Sequence, residues 1–135
     1  MPIEFLEHKA DVLFEARAES FERVAEESAR ALFETIADTS KLTEEVEVCI
    51  SAQANALDEL LVFALSELLS EADARELFFK SFIVDSFDGK ELKGTARGCE
   101  RSPAAGRTDV KAVTLHECSV KKHENEWKAH ILLDV

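Results

Sequence analysis

Apolar residues along this chain change their spacing several times, and each change marks a predicted element. Ile3-Glu4-Phe5-Leu6 and Val12-Leu13-Phe14-Glu15-Ala16-Arg17-Ala18 alternate well enough for two strands, separated by the polar break His8-Lys9-Ala10-Asp11. Ser20 is a good N-cap. After it Phe21, Val24, Ala25, Ser28, Leu32 and Ile36 recur at helical spacing, with Glu22, Glu26, Glu27 and Arg30 on the other side, which predicts a helix to about Asp38. Val46, Val48 and Ile50 then alternate with polar neighbours as one face of a half-buried strand. Asn55 is read as the cap of a second helix, whose wide stripe of Leu57, Leu60, Leu61, Ala64, Leu65, Leu68 and Leu69 suits packing across a sheet. Its polar side holds Asp58, Glu59, Ser66 and Glu67.

The second half reads as strands. Leu77 to Phe87 is rich in Phe, and Asp88-Gly89 supplies a tight turn into Glu91 to Ala96, which together predict a β-hairpin. Arg101 to Arg107, with Pro103 and Gly106, is the clearest loop. Strands over Val110 to Val120 and Trp127 to Asp134 follow, joined by a polar turn from Lys121 to Glu126. Helices in the first half and antiparallel strands in the second make an α+β pattern. No repeat or linker composition divides the chain, so one domain over 1–135 is expected.

Apolar residues are 46% of the chain and charged residues 33%, which excludes disorder and offers no apolar run near the roughly 18 residues of a membrane span. Met1-Pro2-Ile3-Glu4 lacks a basic leader, and Cys49, Cys99 and Cys118 are three widely spaced thiols without a C-x-x-C pair. A cytoplasmic protein with reduced cysteines is expected. The formal charge of −12 opposes direct binding to a phosphate backbone and favours a basic protein surface or a hard cation, while also serving solubility.

The four glycines, at 89, 94, 98 and 106, form neither a P-loop nor a dinucleotide motif, and no nucleophile sits in a recognisable active-site pattern. His8 and Asp11 lie three apart in a turn, where they either satisfy backbone groups or point together at a ligand. Asp134 ends the apolar run Ile131-Leu132-Leu133, where a carboxylate near the core needs a cation, a metal or several donors, unless the end is solvated. Two carboxylates with a main-chain oxygen form a hard ligand set that suits Ca²⁺ or Mg²⁺. Lys111 stands in the otherwise apolar Val110 to His116 segment. His116, His123 and His130 have no metal-binding helical spacing, and Trp127 is expected at the edge of the core.

His8-Lys9-Ala10-Asp11-Val12 resembles the His-Thr-Ala-Asp-Val opening of the archease family. Leu60 to Leu69 resembles that family's second helix, Val110-Lys111-Ala112-Val113-Thr114 its lysine strand, and Ile131-Leu132-Leu133-Asp134-Val135 its C-terminal signature. The resemblance implies a two-layer α/β sandwich, a mostly antiparallel sheet packed by two long helices. It also implies that Asp11, Asp134 and the Val135 main-chain oxygen bind a divalent cation. Archeases assist RtcB-type tRNA-splicing RNA ligases, promoting guanylylation of the ligase histidine and multiple turnover. The resemblance therefore implies a non-catalytic activator, and His8, Lys111, Glu67 and Asp38 are the candidate partner-binding or functional residues.

The sequence departs from the family at Lys9 for Thr, Leu13 for Gly, Ala64 for Trp and Ser66 for Asn. Lys9 adds a positive charge beside the expected metal site, which either weakens the hold on a cation there or adjusts partner specificity. Two other function classes stand beside the activator. A stand-alone metal-dependent phosphohydrolase or nuclease would use the same acids, yet no second metal cluster, basic groove or evident general base accompanies them. A generic holdase would need exposed apolar patches.

Overall fold

The computed structural model describes residues 2–6 and 11–135. The strands form two antiparallel sheets. One holds β1 (Ile3–Leu6), β2 (Val12–Ala18), β7 (Glu126–Asp134) and β6 (Ala112–His123) in the order β1-β2-β7-β6, and the other holds β3 (Val46–Gln53), β5 (Glu91–Glu100) and β4 (Leu77–Phe87) in the order β3-β5-β4. Helix α1 (Phe21–Ile36) packs on β2, β7 and β4, while α2 (Leu57–Arg75) packs on β6 and β3. The expected helices on antiparallel strands are therefore present, with the strands divided between two sheets. No helix among the described residues is long and apolar enough to cross a membrane.

Burial follows the periods read from the sequence. Phe14 and Ala16 of β2 and Ala129, Ile131 and Leu133 of β7 have no solvent contact, and they share a core with Phe21, Val24, Leu32, Leu61, Leu65 and Leu68 of the helices. Trp127 lies at its margin, edge-on to Phe21 with ring centroids 6.0 Å apart. The alternate residues of the four-stranded sheet face away from the helices. There the β2–β7 register sets Glu15 opposite His130 and Leu13 opposite Leu132.

Helix α1 begins as predicted, with the Ser20 hydroxyl accepting from the Arg23 amide at 3.1 Å. It ends at Ile36, short of Asp38. Its four terminal carbonyls are all satisfied: Phe33 accepts from the Ala37 amide, Glu34 from the Arg107 side chain, Thr35 from the Thr108 amide and Ile36 from the Arg107 amide. Asp38 instead caps a short 3₁₀ turn, Thr39–Lys41.

Three local expectations are corrected. Asn55 is not the cap of α2; Ala56 holds that position without a side-chain bond. Asp58 and Glu59 in the first turn supply the negative charge that the exposed amides of a helix start favour. The polar stretch 121–126 is mostly strand, because β6 and β7 pair out to His123 and Glu126 as a solvated ribbon that needs only Glu124 and Asn125 to turn. Glu124 takes a left-handed φ of 56° to do so. Finally β6 begins at Ala112, not Val110, and its pairing with β7 is interrupted between Thr114 and Ser119.

Close contact between β4 and β5 depends on Gly98. A Cβ there would collide with the Phe78 carbonyl and the Phe79 Cα, where β4 shifts register around Lys80. Gly98→Ala is therefore expected to destabilise the fold by about 1–3 kcal/mol or more, as overpacked sites do, read by chemical denaturation. Ser28 poses the opposite case, since it is fully buried in α1 and its hydroxyl lacks a hydrogen-bond partner among the described residues. Ser28→Ala should leave stability unchanged or raise it by roughly 1 kcal/mol, as expected when an unsatisfied buried polar group is removed.

Glu15 introduces a pH term. Partial burial raises its pKa, but the bond to His130 Nε2 at 2.8 Å and the charges of Arg17, His130 and Lys128 outweigh it and hold the carboxyl below its ordinary value. A pKa lowered by folding stabilises above the unfolded-state value and loses that contribution as pH falls through the folded-state value. Thermal melts of wild type and Glu15→Gln should differ most near neutrality and converge on acidification below the ordinary carboxylate range. A gap that stays constant with pH would contradict this assignment.

Candidate functional site

The residues singled out by sequence gather mainly at one end of the four-stranded sheet. Strand β7 ends there at Asp134, while β2 begins beside it at Val12 and β6 on its other flank at Ala112. Val12 pairs with Leu133 as the last pair of this register, so Asp11, a bend residue just before β2, and Asp134 are the next residues at that end of the sheet. The pleat of β7 places Asp134 on the face of His130 and Leu132, away from the helices. Asp134 is exposed and Asp11 half-buried.

Lys111 lies on the opposite flank of β7. It precedes β6 instead of sitting within it, and its amide donates to the Asp134 carbonyl at 2.7 Å. That bond fixes the end of β7 and engages the Asp134 oxygen, leaving the Val135 oxygen as the next along the chain. Among the described residues no three His, Cys, Asp or Glu side chains converge. A cation at this end would thus take the two aspartates, a main-chain oxygen and water, a donor set that fits a hard divalent ion and not zinc.

The remaining candidates are placed differently. His8 lies outside the described residues. Glu67 is half-buried in the middle of α2, and no hydrogen bond or ion pair among the described residues joins it to Asp134. Asp38 acts locally, where its carboxylate accepts from the Ser40 hydroxyl at 2.6 Å and the Ser40 amide at 3.2 Å, and stands 3.7 Å from Arg107. The Ser40 hydroxyl bond is the main reason its pKa is lowered.

Sequence reasoning passed over Arg101 and Arg107, reading their segment only as a loop. Arg101 donates to the Leu77 carbonyl at 3.0 Å and to Asp73 at 2.7 Å, and lies 5.4 Å from the centre of the Phe78 ring. Arg107 caps α1 through both main chain and side chain. Between them is a cavity of about 220 Å³ floored by Ile36, Leu69, Phe78 and Val110. The only signal for it in the sequence is the unusual density of Arg, Pro and Gly over 101–107.

Residues 3–135 match the Archease protein family (MTH1598/TM1083). Protein archease of Methanosarcina mazei is 36% identical over 138 residues, covering 98% of this chain and 94% of that protein. Protein archease of Methanopyrus kandleri is 34% identical over the whole of both chains. The solution structure of Methanobacterium thermoautotrophicum protein 1598 superposes with a TM-score of 0.82 at 32% identity, over 99% of each chain. The crystal structure of an archease from Thermotoga maritima, described as a possible chaperone, shares the fold, with a TM-score of 0.69 at 20% identity over 96% of this chain and 94% of that one. With this agreement running from the first strand to the aspartate that closes the last, the chain belongs to the archease family.

Proposed function

We propose that this chain activates an RtcB-type RNA ligase, promoting its guanylylation and multiple turnover, and that Asp11, Asp134 and the Val135 main-chain oxygen hold a divalent cation, Ca²⁺ or Mg²⁺, for that purpose. The supporting observation is the β2–β7 register, whose last pair, Val12 with Leu133, has Asp11 and Asp134 as its neighbours at one end of the sheet. Lys111 holds the end of β7 in place through its amide, so that the carboxylate of Asp134 is presented from a fixed strand. Its exposed side chain, with Glu67, Asp38 and His8, is assigned to the partner.

The division of labour follows from what the chain offers. It carries acids at a strand end but neither a phosphate-binding loop nor a nucleophile in an active-site motif, so the bond-making groups belong to the ligase. When bound, a carboxylate-held cation supplies positive charge that offsets the triphosphate as the nucleotidyl bond forms. The net charge of −12 favours a basic protein surface over free RNA, consistent with action through the ligase.

Multiple-turnover ligation by the RtcB-type ligase tests this reading. Substoichiometric wild type should raise turnover, while Asp11→Ala and Asp134→Ala should lose about tenfold or more of that stimulation, the scale on which metal sites respond even to loss of a supporting group. Both variants should retain the wild-type circular dichroism spectrum. Full stimulation by either variant would reject the site, and hydrolysis of RNA or nucleotides by the isolated protein with Mg²⁺, Mn²⁺ or Ca²⁺ would favour the phosphohydrolase or nuclease class. In thermal melts, Ca²⁺ or Mg²⁺ should raise the wild-type melting temperature and leave that of Asp134→Ala unmoved.

A further inference from the structure

The end of β7 that carries Asp134 is held unequally on its two sides. Toward β2 the register closes at Val12 with Leu133, one residue short of Asp134. Toward β6, Asp134 pairs with Ala112, and its carbonyl accepts from the Lys111 amide at 2.7 Å. Strand ends open more readily than strand centres, so the geometry of this end depends on the segment that brings the Lys111 amide to it.

That segment is a surface strip with one interior contact. From Gly106 to Lys111 every residue is exposed except Val110, which is 2% exposed and belongs to the main core. The Arg107 and Thr108 amides fasten the strip to the end of α1, and the Lys111 amide fastens it to β7. Between those fastenings lie only Asp109 and Val110, and Val110 alone reaches the interior. The backing beside it is incomplete, because a cavity of about 220 Å³ opens between Val110, Ile36, Leu69 and Phe78. A β-branched side chain is stiff at χ1, so a packed valine fixes its own backbone closely, and with it the next amide along the chain.

We propose that Val110 is a positioning residue for the cation site. Its packing sets where the Lys111 amide lies, and the bond from that amide to the Asp134 carbonyl holds the strand end in the form that takes the cation. The apolar side chain offers the cation no donor and acts only through the main chain. This deepens the proposed function and rests on it for the cation. Linkage makes the coupling reciprocal: if the bond supports the cation, the bound cation must protect the bond.

Binding of Ca²⁺ and of Mg²⁺ is measured by calorimetry, and hydrogen exchange of the Lys111 amide by NMR, for wild type, Val110→Ala, Val110→Ile and Val48→Ala, each with a thermal melt. Val48 is a buried valine of the same core but lies on β3, in the other sheet, so its truncation removes the same atoms without touching the strip. Both alanine variants should melt below wild type. Only Val110→Ala should also weaken cation binding, by about tenfold, the scale on which loss of an outer support is felt at a metal site, and speed Lys111 exchange. Val110→Ile, whose extra methyl has the cavity to enter, should bind within about threefold of wild type. In the wild type itself, cation at about a hundred times its Kd should slow Lys111 exchange at least tenfold, an arm that needs no variant to fold. Wild-type affinity in Val110→Ala, an equal loss in Val48→Ala, or Lys111 exchange indifferent to the cation overturns the positioning role and leaves the cation site standing. A wild type that binds neither Ca²⁺ nor Mg²⁺ overturns both.

Discussion

Strand β7 is hydrogen-bonded on both sides, to β2 along one edge and to β6 along the other, and the arrangement of everything else at the candidate site follows from that double pairing. Ile131, Leu132 and Leu133 are all buried, a continuous apolar run that an edge strand facing water on one side would not sustain. Because β2 lies near the start of the chain and β7 near its end, the pairing closes a loop of more than a hundred residues. Such closure is entropically expensive, though its cost grows only slowly with length, and it is offset by the helices that bury the inner face of the same strands. Loss of the β2–β7 register would move Asp11 away from Asp134 even if each strand kept its own conformation.

The elements were legible from the sequence wherever one local rule governed them. The strand over Val46 to Ser51, the helix behind Ser20 and the Asp88-Gly89 hairpin all follow from period and turn chemistry, and Asp88 indeed accepts from the Lys90 and Glu91 amides at 2.9 and 2.7 Å. Misreadings arose where two rules competed. At the start of α2, Asn55 has the better capping side chain, but the chain enters the helix one residue later and the acidic pair Asp58 and Glu59 serves its amides. At 121–126 composition pointed to a turn, while pairing with β7 extends a ribbon into solvent, where polar residues suit a strand equally well.

The candidate site was legible only through resemblance to a family. Asp11 and Asp134 share no local pattern, and they come to the same sheet end only through the register between strands at opposite ends of the chain, which single-sequence periodicity does not encode. Asp38 shows the converse difficulty. Its sequence setting gave no role, whereas in the fold it holds the Thr39–Lys41 turn and stands beside Arg107. The pocket between Arg101 and Arg107 was invisible for the same reason, since its floor draws Ile36 from one helix, Leu69 from the other and Phe78 from β4.

One segment joins these features. From Arg107 to Lys111 the chain first closes the C-terminal end of α1, with the Arg107 and Thr108 amides taking the Ile36 and Thr35 carbonyls at 2.8 and 3.1 Å. It then buries Val110 and, at Lys111, bonds to Asp134. A run of five residues is thus pinned at both ends, to a helix terminus and to the central strand. Its intervening side chains line the pocket, so the pocket wall and the strand end carrying Asp134 are parts of one fastened strip. The hydrogen bonds at the two ends of the strip join the pocket wall to the strand end, and helix-end carbonyls deprived of their partners would be costly wherever water could not replace them.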